Sequence, residues 1–342
     1  MSESNAVVLG TGLLGASLGL ALRSNGWRVM GWDPDPAALD RAMARGAFDE
    51  PADGPDIDDA DLAFLASPPS AVVATLAELT TETLVTDVAS VKSPIVDAAS
   101  HLPHFVGGHP MAGGETSGAS LASSSLFHGA TWVLTSDQAD SDDLRRIEEV
   151  VSGFGANPVV MTAVDHDAAV ASVSHLPHVL AATLMSIAER DASSMKLAGG
   201  GFRDLTRIAA ADSGWWGEVL ASNAEHVVGS IDELLDALGD WKQSLLMGDR
   251  EHLTSALVAA RDARLGLGEH HTQVRVLLLD RPGEIARVGH ALETSRVDVR
   301  DFQLRHGEHG GGGVLTISVR GNGKDALVNA LTEDGFEVRV DG

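Results

Sequence analysis

Two rhythms of apolar positions alternate along the first 160 or so residues. Short apolar runs at 6–9, 28–32, 62–66, 84–86, 105–106 and 132–134 predict buried strands, and three- and four-residue spacing at 13–23, 36–45, 70–79 and 142–154 predicts helices between them. Alternation of this kind builds a mainly parallel, doubly wound α/β sheet of Rossmann type, because each crossover helix must cover a face of the sheet. After Val159-Val160-Met161 the pattern changes. From 164 to 267 alanine, leucine and glutamate recur at helical spacing without a convincing strand, which predicts an all-α domain with long helices at 164–189 and 215–238. Gly266, Gly268 and the polar residues up to Thr272 read as a linker. Beyond it, strands at 273–279, 297–305, 314–320 and 337–340 and helices at 283–293 and 324–332 give a small α+β module of βαββαβ order. The expected division is 1–162, 163–268 and 272–342.

The turn between the first strand and helix is Gly10-Thr11-Gly12-Leu13-Leu14-Gly15, a G-x-G-x-x-G spacing in the strand-turn-helix setting that gives it meaning. Gly10 permits the tight turn, Gly12 lets backbone approach a pyrophosphate, Gly15 allows close helix packing, and the helix start, Leu13 and Leu14 included, faces the negative charge. Asp33 ends the second strand, where a carboxylate hydrogen-bonds an adenosine ribose and repels a 2′-phosphate. No arginine follows in Pro34-Asp35-Pro36, so NAD is the expected cofactor rather than NADP.

Composition narrows the remaining classes. A chain of 342 residues exceeds what one core usually serves, and 44% apolar residues is ordinary globular usage. No run approaches the ~18 continuous apolar residues of a membrane span, and the first residues lack the basic start of a signal peptide, so a cytoplasmic protein is expected. With no cysteine, disulfides, thiolate nucleophiles and thiolate metal sites are excluded. A net charge of -25 argues against nucleic acid and anionic lipid as partners and suits either a solvated surface or a salt-rich cytosol. An anionic substrate then needs a local arginine. The module after Thr272 is nearly balanced in charge, which also sets it apart.

Four further segments carry chemistry. Gly107-Gly108-His109-Pro110-Met111-Ala112-Gly113-Gly114-Glu115 holds an imidazole in a stretch that reads as neither helix nor strand. Asp87-Val88-Ala89-Ser90-Val91-Lys92 follows a strand at the carboxyl edge, where open sheets bind ligands, so Ser90 can reach cofactor or substrate. Ser174-His175-Leu176-Pro177-His178 sets two histidines around a proline in a helical region. They lack a clear third ligand and the His-Glu-x-x-His pattern, so no metal is expected and polar substrate contact is favoured. Gly199-Gly200-Gly201-Phe202-Arg203-Asp204-Leu205-Thr206-Arg207, followed by Asp212 and Trp215-Trp216, suits capture of a carboxylate by two parallel hydrogen bonds from Arg207.

Taken together, GTGLLG, DVASVK, GGHPMAGGE, SHLPH and GGGFRDLTRIAAAD resemble the prephenate dehydrogenase family of tyrosine biosynthesis over nearly the whole chain. The resemblance implies NAD-dependent oxidative decarboxylation of prephenate to 4-hydroxyphenylpyruvate, with arogenate as the alternative substrate. It implies that His109 is the catalytic base accepting the proton of the ring hydroxyl, that Ser90 hydrogen-bonds that hydroxyl and helps orient the histidine, and that Arg207 grips the ring carboxylate. Glu115, Ser174, His178 and Trp216 fall on substrate-pocket positions, and Ala89 stands where many members have glycine. Helical domains of the family commonly interlock, so a homodimer is expected.

The C-terminal module resembles an ACT domain, a regulatory fold that binds amino acids between paired copies. Asp280, Pro282 and Gly283 lie in the strand-to-helix loop that often holds the effector, which makes tyrosine feedback the natural expectation, and a plain dimerisation module the alternative. A β-hydroxyacid dehydrogenase would share the two-domain plan but needs a catalytic lysine motif that neither Lys196 nor Lys242 supplies. A catalytically silent amino-acid sensor would keep the fold and lose the base, yet His109, Ser90 and Arg207 are all present.

Overall fold

The computed structural model describes residues 4–112, 118–266, 271–306, 312–320 and 323–340. Residues Met1–Asp236 form one compact unit and Ala237–Gly342 a second.

The first unit opens with six parallel strands: β1 (Asn5–Leu9), β2 (Arg28–Trp32), β3 (Glu50–Pro51), β4 (Leu62–Leu65), β5 (Leu84–Asp87) and β6 (Phe105–Val106). Helices α1 (Leu13–Ser24), α2 (Pro36–Ala44), α3 (Pro69–Glu78) and α4 (Ser93–Ala98) lie between them. The order β3-β2-β1-β4-β5-β6 reverses direction at β1, so a crevice opens beyond the carboxyl ends of β1 and β4. β4 and β5 are buried along their whole length, as continuous apolar strands covered on both faces must be. One core packs Val8, Leu18, Leu22 and Phe64 against one face, and another packs Val7, Leu65, Leu76 and Ile95 against the other.

A second sheet of three strands follows: β7 (Gly108–Pro110), β8 (Thr131–Thr135) and β9 (Asn157–Met161), with α5 (Ser141–Gly153) between the last two. Here two expectations need correction. Residues 132–134 belong to this separate sheet, and His109 does not sit in irregular chain, because Gly108, His109 and Pro110 pair antiparallel with Leu134, Val133 and Trp132. The glycines hid the strand while being its cause. A side chain on Gly108 would stand 2.5 Å from the Asp87 carbonyl oxygen, so only glycine lets β7 run this close to the end of β5.

The helical segment comprises α6 (Ala163–Val170), a single π turn (Ala171–His175), α7 (Leu176–Glu189), α8 (Ala192–Lys196), α9 (Gly200–Thr206), a 3-10 turn (Arg207–Ala210), α10 (Ser213–Ser222), α11 (Ala224–Met247) and α12 (Arg250–Gly266). The helix expected over 215–238 is thus two helices. Asn223 breaks them by turning its amide inward onto the Asp167 carbonyl, 2.8 Å away. The run Ala163–Glu189 is long and apolar enough to cross a membrane by length and composition alone, although it contains no unbroken apolar run of that length. Its buried His166, Asp167 and His175, however, hydrogen-bond protein partners, which suits a helix built around a site.

The second unit contains the end of α11, α12, and the module β10 (His271–Leu278), α13 (Glu284–Ser295), β11 (Val299–His306), β12 (Gly313–Arg320), α14 (Lys324–Glu333) and β13 (Glu337–Val340). The βαββαβ order is as expected, and its strands form one antiparallel sheet, β11-β12-β10-β13. Val274, Val276, Leu315, Ile317 and Val319 of the two central strands alternate inward against Val288, Leu327 and Leu331 of the helices. Most of the expected linker, 267–270, and the glycine-rich turn at 307–311 lie outside the described residues.

Candidate active site

The glycine turn leaves β1 with Gly10 at φ +98°, a left-handed conformation that a side chain would strain. A side chain on Gly15 would drive its first carbon to 1.8 Å from the Gly10 carbonyl oxygen, so α1 begins hard against the turn. Gly12 caps α1 without a side-chain hydrogen bond, and a side chain there would meet nothing within 4 Å. The first-turn amides of Leu13, Leu14 and Gly15 have no acceptor within their own helix, as at any helix start. Asp33 accepts from the Thr11 amide at 2.7 Å and the Thr11 hydroxyl at 3.0 Å through one oxygen, and from the Asp35 amide at 2.9 Å through the other. Its carboxylate is thereby fixed beside the turn with lone pairs to spare. Thr11 is a contributor the motif left blank.

His109 is half-buried on β7, and its Nδ1 lies 2.8 Å from Nε2 of His166. His166 in turn places Nδ1 2.8 Å from Asp167 Oδ1. The same Asp167 oxygen accepts from the Lys92 amide, and Oδ2 accepts from the Ser93 amide, both at 2.7 Å. The local cause is the start of α6. Thr162 caps it by accepting from the Asp165 amide, and Ala163, His166, Asp167 and Val170 then share the buried face. A polar pair at apolar-face positions is the signal that could have found these two residues in the sequence.

β7 is pinned to β5 by a buried ion pair. Asp87 accepts from the Gly108 and Ala89 amides at 3.0 and 2.8 Å, and the Lys92 ammonium donates to Asp87 and, at 2.7 Å, to the Gly108 carbonyl. Both side chains are fully buried. Burial lowers the pKa of Lys92, against the pull and hydrogen bond of Asp87. Burial also holds His109 well below the ordinary imidazole value, helped by His166, Lys92 and His175 and opposed by Asp167. The imidazole is therefore a neutral group near pH 7, with its proton-accepting capacity intact.

The other expected residues divide. Ser90 Oγ is shielded from solvent and makes no hydrogen bond with the described residues, so it does not hold His109. Its capacity is free for another molecule. Ser174 lies half-buried in the π turn, a feature common at functional sites. His178 stacks on Trp216 with ring centroids 3.4 Å apart, and His175, bonded through Nδ1 to Asn223 at 3.1 Å, meets the same indole edge-on. Burial lowers both imidazoles, His175 to about 4. Arg207 is exposed and lines a cavity of about 440 Å³ with Leu176, Pro177, Leu180 and Ile208. Glu115 lies outside the described residues. Asp280, Pro282 and Gly283 form an exposed loop in the second unit. A larger cavity, about 650 Å³, opens beside Asp61, Thr83 and His104, at the amino ends of the strands and so away from the ligand crevice.

Parallel sheet, glycine turn and a neutral histidine beyond the strand ends define a dinucleotide-dependent oxidoreductase. Residues 18–160 match the family model of the prephenate dehydrogenase nucleotide-binding domain, and residues 162–259 match that of the prephenate dehydrogenase dimerization domain. The chain is 30% identical over 341 residues to prephenate dehydrogenase of Bacillus subtilis, covering 92% of each. Prephenate dehydrogenase from A. aeolicus, solved in complex with hydroxyphenyl propionate and NAD+, is similar with a TM-score of 0.71 at 29% identity, covering 78% of this chain and 99% of that one. Synechocystis arogenate dehydrogenase is similar with a TM-score of 0.68 at 31% identity, covering 76% and 98%. This chain belongs to the prephenate dehydrogenase family.

Proposed function

We propose that the protein catalyses NAD-dependent oxidative decarboxylation of prephenate to 4-hydroxyphenylpyruvate. The observation that carries this reading is a half-buried, neutral His109 held on β7 in a member of this family. The turn fits a dinucleotide: Gly12 leaves room for a pyrophosphate, the α1 amides point at it, and fixed Asp33 suits an adenosine ribose while repelling a 2′-phosphate. NAD, when bound, supplies the hydride acceptor. The residues of the chain do the rest. His109 accepts the proton of the ring hydroxyl, and Ser90, whose Oγ is unpartnered among the described residues, hydrogen-bonds that oxygen. Arg207 holds the ring carboxylate, and His178 stacked on Trp216 forms a wall of the pocket together with Ser174. Oxidation places a carbonyl para to the carboxylated carbon, so breaking the carbon–carboxylate bond sends its electron pair into the ring and releases carbon dioxide as the ring becomes aromatic.

Prephenate and arogenate differ only in a keto against an amino group on the side chain, and the similarity to an arogenate dehydrogenase supports arogenate as the second reading. Three further assignments belong to the same proposal. The protein is cytoplasmic; it works as a homodimer through the helical segment, where Val173, Ile187, Leu197 and Leu205 are exposed; and the βαββαβ module is an ACT-like domain that binds tyrosine at Asp280, Pro282 and Gly283. The three-part division at 162 and 268 is proposed on the same grounds, the family models meeting between 160 and 162. Parallel assays with prephenate and arogenate, each with NAD and NADP, test the reading. Formation of 4-hydroxyphenylpyruvate with the higher kcat/KM for prephenate and NAD is expected. Tyrosine formed mainly from arogenate would change the substrate, and a lower KM for NADP would overturn the role of Asp33.

A further inference from the structure

We infer that His166 and Asp167 are positioning residues that fix the tautomer of His109. They hold its proton on Nδ1 and leave Nε2 as the bare base. The inference deepens the proposed function and rests on its assignment of His109.

Burial raises the pKa of the Asp167 carboxyl, but hydrogen bonds from His166 and from the Lys92 and Ser93 amides outweigh it and hold the group below the usual carboxylate value. An ionised carboxylate only accepts, and two of its contacts are backbone N–H groups that only donate. His166 Nδ1, 2.8 Å from Oδ1, must therefore carry a proton. In a neutral His166 the other nitrogen, Nε2, is then an acceptor, and the partner 2.8 Å from it is His109 Nδ1. That nitrogen has to donate. The only lone pair left on the His109 ring is at Nε2.

The arrangement is held rigidly. His166 and Asp167 are each 1% exposed. The Asn223 amide donates to the Asp167 main-chain carbonyl, and Lys92 holds Gly108, the residue before His109, by its carbonyl. The groups facing the His109 ring from neighbouring elements are His166 and Asp167 on α6, Lys92 after β5, and His175 in the π turn. Among these described groups, His166, Lys92 and His175 oppose a positive charge on the ring, and Asp167 favours it. When Nε2 takes the substrate proton, the resulting cation is stabilised through His166 toward Asp167, without either of them leaving its place. This is the logic of a hydrolase triad, in which a buried carboxylate fixes the tautomer of a base and is not itself protonated.

The test reads the tautomer directly. In ¹⁵N-histidine-labelled protein near pH 7, with the His109 signals assigned by their loss in His109→Asn, Nδ1 should appear protonated and Nε2 bare. His166→Phe, which removes the acceptor, should lower kcat by roughly 100-fold, the lower part of what a positioned general base contributes. It should leave KM for NAD unchanged and displace the acid limb of the pH profile. His166→Gln, which offers an amide oxygen in the same direction, should recover part of kcat. A protonated Nε2 on His109 in the unaltered protein overturns the inference even if no His166 variant folds, and so does an unchanged kcat and pH profile in His166→Phe. Absence of turnover by the unaltered enzyme with both prephenate and arogenate would instead overturn the proposed function, leaving the tautomer to be read on its own.

Discussion

At the scale of single residues the proposed chemistry depends on a neutral base. His109→Asn should lower kcat by about 10²- to 10⁴-fold with little change in NAD affinity, measured by steady-state kinetics and a binding titration. The pKa of His109 is lowered, so activity should hold as pH falls through 6.5 and decline only well below it. An acid limb at or above 6.5 would contradict the burial argument. His175 makes a prediction about stability. Burial lowers its pKa to about 4, so the unfolded chain binds a proton more readily than the native one between about 4 and 6.5. Its contribution is complete above that window and is lost as pH falls through it. Urea midpoints should drop over this range, and less steeply in His175→Gln. The residues of the proposed chemistry were legible where a motif marks them: the glycine turn, Asp33, His109, and the His178 and Trp216 pair. His166, Asp167 and Asn223 were not. Their role arises from contacts between positions 57 and 56 apart in the chain, between His109 and His166 and between Asp167 and Asn223, of which the polar pair His166-Asp167 on an apolar helix face is the one local trace.

At the scale of elements, the longer strands and helices of the alternation were legible, because β4, β5 and α3 follow their burial directly, whereas β3, α4 and β9 were not read as elements. What escaped was structure whose cause is tertiary. β7 exists because glycine allows close approach to Asp87, so a composition that reads as loop becomes a strand. The break at Asn223 exists because a side chain is used elsewhere. The junction of α1 with its turn yields the sharpest prediction. Gly15→Val must push the helix away from the Gly10 carbonyl, at a cost of about 1–3 kcal/mol in stability for an overpacked site. NAD affinity should fall together with the melting temperature, whereas Gly12→Ala, with free space around it, should weaken NAD with little effect on melting. Equal melting temperatures for Gly15→Val and the parent would refute the packing argument.

At the scale of the whole molecule, the order of the C-terminal module was legible from period-two alternation, which puts Val274, Val276 and Leu278 on one face of β10. Its proposed purpose rests on the resemblance of the module and on the loop at Asp280 and Gly283, which is exposed. If the module binds tyrosine, millimolar tyrosine should raise the melting temperature and lower kcat/KM, and Gly283→Val should abolish both effects while leaving the uninhibited rate intact. No response to tyrosine or phenylalanine would leave it a dimerisation module. The central claim, that His109 drives oxidation of prephenate with NAD, is tested most directly by a single-turnover experiment on excess enzyme. Reduced-nicotinamide absorbance and 4-hydroxyphenylpyruvate should appear together at one rate, and His109→Asn, saturated with NAD, should slow both alike. Turnover of prephenate at an undiminished rate by His109→Asn, or none by the parent enzyme with NAD bound, would contradict it.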